Sequence, residues 1–227
     1  MFVVLLWLIA VAVAAQVGAT QGGIDPARLP SWTQATLLIL QDLGLVGIAL
    51  AVGFRVGNRQ VAPLIVLAPV FVMPTAGLLV DWLGGSSNVA DFADKISRSA
   101  GTTSMVWLAA VGFAAPLGEE LLFRGALWAR LESAFGARRT WLATSLAFAF
   151  WHLDAVHALA LLPASFALGL VRWKAGLLAS VVAHALHNIV GWALLTGVCP
   201  TPGPTATSLM CLVSLALCLH AARRNDG

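Results

Sequence analysis

Two adjacent glutamates stand in the octet Gly118-Glu119-Glu120-Leu121-Leu122-Phe123-Arg124-Gly125, in the middle of a long apolar stretch. Ionisable groups are costly inside a membrane and mark a function or a specific partner. On a helix Arg124 falls four residues after Glu120, on the same face, so that pair neutralises itself. Glu119 points about 100° away and has no partner in its own helix. One carboxylate is therefore matched and the other is free for another task. The plainer alternative is a two-carboxylate cluster that holds helices together through Arg124. Two more pairs share the four-residue spacing, Phe148 with His152 and His184 with Asn188. A carboxylate can take a proton from water while imidazole and amide groups hold that water and stabilise a tetrahedral oxyanion. Such a set can hydrolyse a peptide bond inside a membrane cavity. The other intramembrane protease chemistries lack their signatures: there is no HExxH, no GxGD and no Gly-x-Ser-x-Gly or Gly-x-Ser-Gly.

These groups need elements that carry them to one level. Of 227 residues, 59% are hydrophobic and 10% charged, and the mean hydropathy is +0.89. Soluble domains average about 25% charged residues, so the chain is neither an ordinary soluble globule nor disordered. A membrane helix needs about 20 apolar residues. Hydropathy and charge breaks predict eight spans, at about 2–20, 33–54, 61–80, 104–129, 140–153, 155–171, 175–197 and 205–221. The fifth and sixth run close together at Leu153-Asp154, which leaves seven as the alternative count. The expected fold is an all-α polytopic membrane protein, a single domain over 1–227 with one bundle and an intramembrane catalytic cavity.

The basic residues support eight. Arg55, Arg59, Arg130, Arg138, Arg139, Arg172, Lys174, Arg223 and Arg224 fall on one side, and Arg28, Lys95 and Arg98 on the other. Both termini are then cytoplasmic. The same bias accounts for the net charge of +3 without a nucleic-acid partner. Met1–Ala15 ends in Ala12-Val13-Ala14, a pattern like a signal-peptide cleavage site, but lacks a positive n-region and is expected to be retained. Counted from the cytoplasmic anchors at about 1.5 Å per residue, Glu119, His152, His184 and Asn188 lie roughly 15–21 Å deep. Three helices thus bring a carboxylate, two imidazoles and an amide near the bilayer middle.

In this arrangement the chain resembles the CAAX-protease and bacteriocin-processing (Abi) family of intramembrane endopeptidases, which includes the type II CAAX prenyl endopeptidases. The family's EExxxR matches Glu119, Glu120 and Arg124; its FxxxH matches Phe148 and His152; its HxxxN matches His184 and Asn188. The likeness covers about residues 100–195. It implies that Glu119 is the general base activating a water that His152 helps to position. His184 and Asn188 would hold the water or stabilise the oxyanion, with Glu120, Arg124 and Phe148 in support. No cofactor is required by this reading. Zinc on Glu119, His152 and His184 is the alternative, since two histidines and a glutamate can form a three-ligand site. The substrate implied is a membrane-embedded or C-terminally anchored peptide or protein, prenylated or not, in a prokaryotic inner membrane.

Two other functions compete: a non-catalytic scaffold or bacteriocin-immunity protein of the same family, and a proton-coupled transporter. Transporters often carry inverted repeats and paired broken helices, and the sequence has neither. Cys199, Cys211 and Cys218 read as packing residues, without a CxxC. His187 reads as bundle packing, His157 as less central, and Asp42 as the site of a buried hydrogen bond. Trp32, Trp82, Trp107, Trp128, Trp141 and Trp173 read as interfacial anchors.

Overall fold

The computed structural model describes residues 29–56, 63–72, 76, 79, 80, 82 and 88–223. Among these the regular structure is entirely helical. Helix α1 is Ser31–Val52. A 3-10 turn, Pro63–Leu67, runs into the short α2, Ala68–Val72. Then come α3, Asn88–Ser97; the continuous α4, Gly101–Phe135; α5, Ala137–Phe150; α6, Ala155–Ala175; α7, Leu177–Leu195; and α8, Pro204–Arg223. Five of them, α1, α4, α6, α7 and α8, are long and apolar enough to cross a membrane. The expected span at 2–20, the cleavage question at 1–15, and Arg28, Arg59 and Arg224 lie outside the described residues. So does much of the span expected at 61–80.

Two elements depart from expectation. Helix α5 has 14 residues, about 21 Å against a hydrocarbon core of about 30 Å. Helix α3 was not anticipated; it lies between the spans expected at 61–80 and 104–129. Its Ile96 is fully buried and its Phe92 ring packs edge-on against Trp107, centroids 5.3 Å apart. Asp94 and Arg98 pair on the exposed side at 2.7 Å.

Helix α4 is the most buried of the five and is not uniformly α-helical. It widens into π-helical turns at Ala110–Ala114 and Glu120–Leu127. Pro116 accounts for the first. Its ring would strike the carbonyl four residues back and it has no N–H to give, so the chain takes up an extra residue just before it, and the Ala115 N–H bonds Ala110. Such bulges recur at functional sites because they re-aim the faces of a helix. Helix α1 lies against α4 at Gly118, where a Cβ would come 2.6 Å from the Asp42 carbonyl oxygen. Only glycine allows that approach.

Helices α5 and α6 pair through serines. Ser165 donates from its hydroxyl to the Ser145 carbonyl at 2.8 Å, and Ser145 returns the bond to the Ser165 carbonyl at 3.2 Å. Gly176, at φ 96°, turns α6 into α7, and the Leu177 N–H is held by the Val56 carbonyl at 3.1 Å. Two tryptophans read as interfacial anchors are instead core residues. Trp107 and Trp128 are 2% and 1% exposed; Trp107 donates to the Ser31 hydroxyl, and Trp128 lies beneath the Arg172 guanidinium.

Candidate functional site

The two glutamates part company within one residue of each other. Glu120 turns into protein. Its Oε1 meets the Arg124 guanidinium at 3.1 Å in a fully buried ion pair. The same oxygen accepts from His184 Nδ1 at 3.0 Å, and Oε2 accepts from the Ser180 hydroxyl at 2.6 Å. Arg124 is fixed in turn by the Ser165 carbonyl and hydroxyl, at 3.2 and 3.0 Å, and its Cζ lies 4.2 Å over the Phe148 ring. This network ties α4, α5, α6 and α7 together around one carboxylate. Because it joins a cation to an anion with hydrogen bonds on both, it satisfies charges that would be very costly alone.

Glu119 turns the other way, into a cavity of about 330 Å³ that Phe148, His152, His184 and Asn188 also line. Its Oε2 lies 3.7 Å from His184 Nε2. A carboxylate can only accept, so the bond to Glu120 puts the His184 proton on Nδ1 and leaves Nε2 as a lone-pair acceptor. A carboxylate oxygen and an imidazole nitrogen thus face each other as two acceptors just beyond hydrogen-bond distance. One water can donate a hydrogen to each. His152 is oriented similarly: its Nδ1 donates to the Phe148 carbonyl at 3.2 Å, which leaves Nε2 as an acceptor. The rings of His152 and His184 both stand edge-on to Phe148, at 5.4 and 5.5 Å.

Asn188 has a structural duty as well. In the π register the Val111 carbonyl would be served by residue 116, a proline without an N–H. The Asn188 side-chain amide fills that place at 2.7 Å, leaving one N–H and the amide oxygen for the cavity. Among the described residues no group of three His, Cys, Asp or Glu side chains is arranged to hold a metal ion. Glu119, His152 and His184 share the cavity.

Some cavity residues were missed by the sequence reading or misjudged by it. His157 lines the cavity, its ring 4.7 Å from that of His152; the turn at Trp151–Asp154 brings it back, and the Asp154 carboxylate caps its N–H at 2.7 Å. Ser180 stands four residues before His184, on the same face, and that spacing was its available signal. His187 also borders the cavity and binds the Pro69 carbonyl at 2.7 Å, which anchors α2. Asp42 is wholly buried, but neither carboxyl oxygen has a hydrogen-bond partner among the described residues. The expected buried hydrogen bond is not made among the described residues.

All seven motif residues lie on α4, α5 and α7 or the turn that ends α5. Residues 101–190 match the family model of the Rce1-like type II CAAX prenyl endopeptidases. The Rce1-like segment begins with α4 and includes Asn188 near the end of α7, so it contains all seven motif residues. The match bears out the resemblance read from the three motifs and relates the chain to a protease family. No curated protein and no solved structure matches the chain. With its apolar helices, the chain is an integral membrane protein, entirely helical in its regular structure among the described residues, with a protease-like core.

Proposed function

We propose that the protein is an intramembrane endopeptidase in which Glu119 activates a water held in the cavity. The observation that supports this most is the division of labour between the adjacent carboxylates. Glu120 is saturated by Arg124, Ser180 and His184, whereas Glu119 faces His184 Nε2 across 3.7 Å in the cavity. Water lying between them donates a hydrogen bond to Nε2 through one hydrogen, which it keeps, and passes the other to Glu119 as a proton while its oxygen attacks the substrate carbonyl. The carbonyl π electrons move to oxygen, and the free N–H of Asn188 is the nearest amide donor for that oxyanion. Glu119 then returns its proton to the leaving nitrogen as the C–N bond breaks. The products are a carboxylic acid and an amine, and the glutamate is again ionised. His152 orients the water through Nε2, and Phe148 spaces His152, His184 and Arg124.

The substrate in this reading is a membrane-embedded or C-terminally anchored peptide or protein that enters from the bilayer, with both termini of the enzyme cytoplasmic. Catalysis is assigned to the chain's own residues, without metal. The test is cleavage of a quenched peptide library by protein in proteoliposomes, comparing wild type, Glu119→Gln and wild type with a strong chelator. The expected result is cleavage that the substitution abolishes and the chelator spares. Full activity in folded Glu119→Gln overturns the mechanism, and loss on chelation with recovery by zinc replaces it with the metal one. No cleavage by any folded form, with a cellular phenotype indifferent to Glu119, would favour the non-catalytic scaffold.

A further inference from the structure

The cavity has a polar part and an apolar part, and the two are separated along the helices. On α4, Val111, Ala115 and Glu119 line it at four-residue intervals, so Val111 lies about 12 Å along the axis from Glu119. On α7 the lining runs from His184 through Asn188 to Trp192 and Leu195, about 17 Å in the opposite chain direction. Followed from Glu119 back along α4 and from His184 forward along α7, the lining passes from groups able to act on a peptide bond to apolar side chains at the same end. Helix α3 closes that end. Its Phe92 and Ile96, four residues apart, line the cavity, and both pack in one apolar cluster with Trp107, Val111 and Trp192.

Helix α3 is held there firmly. It joins α4 through three residues, with the Ser99 hydroxyl bonded to the Ile96 carbonyl at 2.7 Å and the Phe92 ring edge-on to Trp107 of α4. At ten residues, or about 15 Å, it is too short to span a membrane. Its one buried face is directed at the cavity and at α4. A chamber of about 330 Å³ with reacting groups at one end matches the smaller ligand pockets, which are mainly apolar with a few placed polar groups.

We infer that the chamber beyond Glu119 binds an apolar side chain of the substrate beside the scissile bond, and that Phe92 and Ile96 of α3 set the size it admits. This rests on the endopeptidase reading and adds its specificity. A single methylene at an apolar pocket changes discrimination about 10–200-fold, so removing or enlarging the Phe92 ring has a large expected effect. In the peptide library, Phe92→Ala should raise kcat/KM for bulky over small apolar residues at one position by at least about tenfold. Phe92→Trp and Ile96→Phe should shift the ratio the other way.

A second measurement does not need turnover. Peptides carrying a photoreactive leucine at that position are cross-linked to Glu119→Gln protein in proteoliposomes, and the adducts are mapped by mass spectrometry. Labelling on residues 92–96 and on α7 near Trp192, competed by the unmodified peptide, is the expected result. If wild type cleaves but the size ratio stays within twofold in every active variant, the inference is overturned while the endopeptidase stands. If labelling maps elsewhere it is likewise overturned. If the label maps to α3 but wild type cleaves nothing in the library, the chamber assignment survives and the hydrolytic reading fails.

Discussion

Replacing each of the adjacent glutamates by glutamine should separate stability from activity. Glu120 is completely buried and accepts from Arg124, His184 and Ser180. In Glu120→Gln the amide can still accept from Ser180 or His184 through its one oxygen, but its NH2 then meets the guanidinium or the imidazole N–H as donor against donor. Arg124 keeps the Ser165 bonds and loses the carboxylate it is paired with, in a site with no exposure to water. Removing one partner of a buried ion pair destabilises by about 3–5 kcal/mol, most of it from the charge left behind. Glu119→Gln removes no hydrogen-bonded partner, since its nearest approach to His184 is 3.7 Å, and should stay within about 1 kcal/mol of wild type. Reversible unfolding in mixed micelles, followed by tryptophan emission, measures both. The double variant Glu120→Gln/Arg124→Met should recover much of the loss, because both charges are gone together. If Glu119→Gln is as destabilising as Glu120→Gln, or if the double variant equals the sum of its singles, the assignment of one structural and one reactive carboxylate is wrong.

Two smaller perturbations test the frame. Gly118→Ala places a Cβ 2.6 Å from the Asp42 carbonyl oxygen, a backbone contact that no rotamer can relieve. It should cost about 1–3 kcal/mol and lower kcat by shifting Glu119, and wild-type unfolding and turnover in this variant would contradict the close α1–α4 approach. Leu153 adopts φ 54° with its side chain 53% exposed, a conformation that costs an ordinary L-residue about 1–2 kcal/mol. Glycine gives back part of that through chain entropy, so Leu153→Gly should stabilise slightly, and a lowered unfolding midpoint would refute the strain.

The residues that the structure gathers at the cavity and at its buried ion pair were legible in the sequence through four-residue spacing. Glu120 with Arg124, Phe148 with His152 and His184 with Asn188 each follow that rule, and the helical class follows from apolar runs alone. What escaped has physical reasons. Ser165 looks like an ordinary small residue of an apolar helix, and only its partners on other helices give it a role; Ser180 carried only its spacing from His184. The π turns rest on Pro116 and on packing, so the extra residue in each turn has no spacing of its own. Helix α3 was hidden because a short amphipathic helix and a charged loop have the same composition; only Phe92 and Ile96, facing α4, tell them apart. Trp107 and Trp128 were misread for a related reason: a tryptophan near a helix end suits an interface equally well as a core.

The proposed mechanism needs water within an apolar bundle, and the shortness of α5 offers a route. The helix starts at the exposed pair Arg138 and Arg139, which belong at a membrane surface, and ends after 14 residues, roughly 9 Å short of the far side of the hydrocarbon core. The turn through Trp151, His152, Leu153 and Asp154 therefore sits at membrane depth. Non-helical backbone is tolerated there only when it is buried in protein or borders a water-filled cavity. Trp151 and His152 on this turn line the cavity, as does His157 just after it. Ending α5 early thus brings the FxxxH histidine to the cavity that Glu119 also lines, where the proposed mechanism needs a hydrated space. A full-length span would have sealed the same position with a helix, leaving Glu119 no water to activate.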